Sequence, residues 1–161
     1  MSFQTQVNIT PAPAVAGDFA SANPRASACA GPGEMVAAAA GVTVGYFGWA
    51  DANGIVSNAG SGVPTGFVHR DMNALITTWL AQASMVIPQG QPVTLMSQGD
   101  FWAVTSTAAT PGQKIFASLT TGQIETAAAG AAVAGYIETK WSVPAGFSCA
   151  AGELVKLTSW G

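Results

Sequence analysis

With 161 residues, the chain has room for one compact domain and an extended segment, but not for two full domains. Hydrophobic residues make up 49% of it and charged residues 8%, against about 25% charged in an ordinary soluble domain. A core can form, but much of the surface must be Ala, Thr, Ser, Gly and Gln, which suits a protein packed against others. The formal net charge is −3, and Arg25, Arg70, Lys114, Lys140 and Lys156 stand singly along the chain. That pattern argues against direct nucleic-acid binding and against a polybasic membrane site.

Met1-Ser2-Phe3-Gln4-Thr5-Gln6 has neither the basic nor the apolar stretch of a secretory signal, so synthesis in the cytoplasm is expected. The apolar run 35–50 is interrupted by Gly41, Gly45 and Gly48 and falls short of the roughly 20 residues a spanning helix needs. Residues 1–33 carry Pro11, Pro13, Pro24 and Pro32 among many Ala and Ser. Prolines at this density rule out a helix and remove ladder donors from a sheet. Phe3, Val7, Ile9, Val15 and Phe19 are spaced along the stretch. The expectation is an extended Pro/Ala-rich N-terminal arm, 1–33, whose apolar side chains anchor it to something, followed by a single β domain, 34–161.

From Gly41 onward the pattern is β. Val42 to Trp49 alternates β-branched and aromatic positions and reads as one strand. Asp51-Ala52-Asn53-Gly54 reads as a hairpin turn returning into Ile55-Val56-Ser57. Residues 58–64 read as a loop and 66–70 as a short strand. The segment 71–84 is read as strand, although Leu75, Trp79, Leu80 and Ala83 also fit helical spacing.

A weak repeat follows, in which Gly90, Gly112 and Gly152 each precede an alternating run, as expected if a positive φ turns the chain into a strand. The turns at 97–100 and 120–123 read as hairpins, and 136–141 and 154–160 as further strands. Short strands with turn chemistry between them predict an all-β fold, a compact antiparallel sandwich or jelly-roll-like barrel.

The residues offer little chemistry. His69 is the lone histidine, and its strand neighbour Arg70 must point to the opposite face. No nucleophile context accompanies it. The eight acids lie singly at turns and strand edges. With one histidine and the distant Cys29 and Cys149, a zinc site lacks ligands. The reading is a non-enzyme without metal or cofactor, and Cys29 and Cys149 are read as ordinary thiols, a bridge between them being the alternative. Trp49, Trp79, Trp102, Trp141 and Trp160 admit two readings, core or subunit-interface anchors on one side and a carbohydrate platform on the other.

Several segments resemble a known family. They are Ser2-Phe3-Gln4-Thr5-Gln6-Val7 with its Pro/Ala stretch, Gly66-Phe67-Val68-His69-Arg70, Ala74-Leu75-Ile76-Thr77-Thr78, Met85-Val86-Ile87-Pro88, and Ala134 through Trp141. Over most of the chain the sequence resembles the structural cement (capsid decoration) proteins of tailed bacteriophages. The resemblance implies a small β domain on the outer capsid surface, made in the host cytoplasm and bound over junctions between major capsid protein subunits. It implies a homo-oligomer, expected as a dimer with a trimer as the alternative, and no catalytic residues. The capsid-binding arm candidates are then Phe3, Val7, Ile9, Val15 and Phe19, and the interface candidates His69, Arg70, Trp79, Trp102 and Trp141. The competing function is a carbohydrate-binding or adhesin-type β-sandwich module of a virion or cell surface.

Overall fold

Strands begin where turn chemistry places them. Gly90, Gly112 and Gly152 hold φ of 76°, 81° and 82°, and a strand follows each within a few residues. The computed structural model describes residues 13–28, 34–71, 79 and 84–160, and among them it is all β with no helix. The strands are β1 (Ala26–Ser27), β2 (Val36–Ala37), β3 (Val42–Thr43), β4 (Phe47–Ala50), β5 (Ile55–Ser57), β6 (Gly66–Val68) and β7 (Val86–Ile87). They continue with β8 (Leu95–Gln98), β9 (Asp100–Val104), β10 (Lys114–Ser118), β11 (Ile124–Ala127), β12 (Tyr136–Ser142) and β13 (Leu154–Thr158).

Three sheets result, ordered β1-β8-β6-β4-β5-β2, β11-β10-β12-β13-β9 and β3-β7. Pairing is antiparallel except between β2 and β5. The first two sheets enclose an aromatic core that includes Phe47, Phe67, Phe101, Ile115 and Trp141. On the far side of the six-stranded sheet lies a second, aliphatic core of residues such as Val42, Val56, Val68, Ile87 and Leu95. The six-stranded sheet is therefore covered on both faces. In β6, Phe67 faces the aromatic core and Val68 the aliphatic one, and in β8 Met96 and Leu95 divide in the same way. Burial on both faces explains why these strands read as continuous apolar runs.

Two expected strands take a different form. The run from Val42 to Trp49 is interrupted at Gly45, whose φ is 80° and whose Hα face lies against Ala16 and Gly17. A side chain there would strike that segment, so the chain turns and starts a new strand in another sheet. The turn at 97–100 does not close a hairpin either. It passes the chain from β8 in one sheet to β9 in the other. The hairpin at Asn53-Gly54 forms as expected, with Trp49 opposite Ser57, and β10 returns as β11. Of the expected strand at 71–84, residues 72–78 and 80–83 lie outside the described residues.

Several sheet edges are closed by the chain itself, which limits edge-to-edge association. Ser106 N donates to Ile124 O at 2.9 Å and Thr126 N to Thr107 Oγ1 at 2.8 Å along β11. Ala37 N donates to Gln91 O at 2.9 Å along β2. Thr43 of β3 is bracketed by the side-chain amide of Asn58.

Candidate capsid-contact surface

The described part of the expected arm, residues 13–28, lies along the domain. Gly17 N donates to Trp102 O at 2.7 Å, Trp102 N to Asp18 O at 2.9 Å, and Ala20 N to Asp100 O at 2.9 Å. These bonds add the segment to the free edge of β9. On its other side Arg70 N donates to Gly17 O at 3.1 Å. The segment thus straps the seam between β9 and the end of β6.

Phe19 fills that seam, 4.1 Å from the His69 ring and 5.4 Å from the Phe101 ring, centroid to centroid. The Arg25 guanidinium covers it from outside, 3.8 Å from the ring centre. The carbonyl of Gly17 accepts a hydrogen bond from His69 Nδ1 at 2.9 Å. Arg70 Nη1 meets Asp18 Oδ1 at 2.9 Å. Farther along, Asp100 gathers Ser21 Oγ, Asn23 Nδ2 and Thr158 Oγ1, each at 2.6 Å. Partial burial of Asp100 opposes its ionisation most strongly. The donors Ser21, Thr158 and Asn23, with the charge of Lys156, outweigh that and hold the carboxyl below its usual range.

This placement sorts the sequence candidates. Phe19 is engaged by its own domain, so it is not a free anchor, and Val15 is left exposed. Phe3, Val7 and Ile9 lie outside the described residues. His69 and Arg70 are half-buried and hold the strap. Trp141 cannot serve as an interface residue without unfolding, because it is 2% exposed in the aromatic core. Alternation along β12 sets it on the inward side with Ile137 and Thr139, while Lys140 between them points out. Trp102 is half-buried against Phe147, edge to face at 5.7 Å. Trp79 is the most exposed large apolar residue described, at 89%. Cys149 is a free, half-buried thiol whose pKa burial pushes up, and Cys29 lies outside the described residues. Among the described residues no three His, Cys, Asp or Glu side chains group as metal ligands.

Sequence spacing misses one feature. The three lysines, single along the chain, share the outer side of the five-stranded sheet. Lys114, Lys140 and Lys156 belong to the adjacent strands β10, β12 and β13. Their inward neighbours Ile115, Trp141, Val155 and Leu157 are core residues, so alternation along each strand turns the lysines outward. The outward signal was present in the alternation, but strand order was needed to place the three on one face. Lys156 Nζ stands 5.1 Å over the Trp102 ring, and Lys114 Nζ reaches Lys140 O at 3.4 Å. Beside them runs an open groove of about 910 Å³ whose walls include Asn23, Val143, Pro144, Phe147 and Trp160.

Over residues 3–159, nearly the whole length, the sequence matches the family described as XM1 gp53 minor capsid protein. The chain belongs to that family. It is a structural protein of phage capsids. A solved structure described as the capsid of Myoviridae phage XM1 contains a chain that is 18% identical, with a TM-score of 0.66. The match covers 99% of this chain and 98% of that one, so the two share a fold. No curated protein matches the chain.

Proposed function

We propose that this minor capsid protein is a non-catalytic cement subunit. It binds the outer surface of the capsid and stabilises contacts between major capsid protein subunits. The family match over residues 3–159 carries the reading. The arrangement of the domain supports it: charged side chains are scarce and six of the eight acids are tied to their own chain. Asp18 pairs with Arg70, Asp51 and Glu153 bond turn amides, and Glu138 accepts from Gly130 N. Asp71 accepts from Thr94, and Asp100 holds the strap. With 8% charged residues such a surface carries little charge, and it suits permanent packing against a shell.

In this reading apolar side chains of residues 1–33, among them Phe3, Val7, Ile9 and the exposed Val15, supply further attachment to the shell. Linking them to the domain makes the second contact effectively intramolecular. The isolated protein is expected to self-associate as a homodimer. The carbohydrate-platform reading has less support, since Trp49 and Trp141 are spent in the core.

Co-sedimentation tests the proposal. Heads lacking the protein, mixed with purified protein, should retain a fixed number of copies per head, and removal of residues 1–12 should lower occupancy. Heads that sediment free of full-length protein at micromolar concentration would refute it.

A further inference from the structure

Building on the cement reading, we infer that the lysine-bearing groove on the outer side of the five-stranded sheet is the docking site for an extended, carboxylate-rich segment of the capsid shell. The argument begins with charge. The protein is acidic overall, yet its three lysines share one face, and the other two cations lie elsewhere, Arg25 on Phe19 and Arg70 on Asp18. Lys114 and Lys156 line the groove itself and are half-buried there. Asp100 is the acid that shares this lining, and its two oxygens are already occupied by Ser21, Asn23 and Thr158. Two lysines against this one carboxylate leave the lining with a net positive charge.

The walls favour a peptide over a simple ion. Val143, Pro144, Phe147 and Leu157 give apolar contact, and Trp160 stands half-exposed at 50%. An open volume of about 910 Å³ admits several residues of chain. Apolar walls also reduce screening around the lysines, so a carboxylate seated there gains more than it would on a flat surface. A second copy of this chain is a poor occupant, because its eight acids stand singly along the sequence and no segment of it is carboxylate-rich.

The test uses full-length protein and heads that lack it. The double variants Lys114→Glu with Lys156→Glu and Lys114→Gln with Lys156→Gln are compared with wild type after thermal melts confirm folding. Charge reversal should weaken head binding by roughly tenfold or more. Raising salt from about 0.1 to about 1 M, which shortens the screening length from about 10 to about 3 Å, should weaken wild type more than the Gln variant. Wild type and both variants binding heads equally, with the same salt response, would overturn the groove assignment while leaving the cement reading intact. Charge reversal that dissociates a dimer but spares head binding would assign the groove to a second copy and also overturn it. Failure of wild type itself to bind would instead remove the reading on which the inference rests.

Discussion

The two faces of the five-stranded sheet carry opposite kinds of side chain on the same strands. Inward, Phe101, Ala103, Ile115, Ala117, Val155 and Leu157 close on the aromatic core and are at most 1% exposed. Outward, the same strands present Trp102, Lys114, Lys156 and Thr158, all partly exposed, while Phe116 and Ser118 on that side are covered. The inner face determines whether the domain folds, and the outer face is left free to specify what it touches. Mutations on the two faces should therefore separate stability from attachment.

The largest effect is expected inside. Phe67→Ala removes a fully buried ring that contacts Phe47, Phe101 and Trp141. It should cost about 3–5 kcal/mol and lower the melting temperature by roughly 10 °C or more. A near-native melting curve would show that the aromatic core is not the main source of stability.

Next comes the strap, which touches both sheets. Gly45→Ala demands a side chain at φ 80° and would set its Cβ 2.8 Å from the Ala16 Cβ. A loss of about 1–3 kcal/mol is expected, together with faster proteolysis within residues 13–28. Unchanged cleavage there would mean that the strap is not held at Gly45.

Acid should loosen the same strap. The Asp100 carboxyl lies below its usual range in the folded protein. Its contribution is thus complete above the unfolded value of about 3.9 and is lost as pH falls through the lower folded value. Asp100→Asn should cost about 1 kcal/mol at neutral pH and flatten the acid limb of a stability–pH curve measured by urea denaturation. A variant with an identical acid limb would show that another carboxylate controls it.

The smallest stability effect is expected outside. Trp160→Ala should change stability by less than about 0.5 kcal/mol yet reduce occupancy on heads. A large loss of stability would erase the separation between the faces.

Local features of the fold were legible where turn chemistry acts over a few residues, as at Asn53-Gly54 and at Gly90, Gly112 and Gly152. Features that depend on distant segments were not. The break at Gly45 comes from residues 16 and 17, and the parallel pairing of β2 with β5 joins segments that no short-range signal links. Trp141 is a core residue and not an interface residue because alternation along β12 puts it on the side of Ile137 and Thr139, and only the packing of the two sheets shows that this side is inward. The lysine face escaped because residues separated by 26 and 16 positions are seen to share one face only once the order β10-β12-β13 is known.

The central claim concerns the shell, and the most direct measurement is the temperature at which filled heads release DNA. Heads carrying the protein should hold their DNA to a higher temperature than heads without it, and adding purified protein back should restore the difference. Equal release temperatures at full occupancy would contradict a cement role.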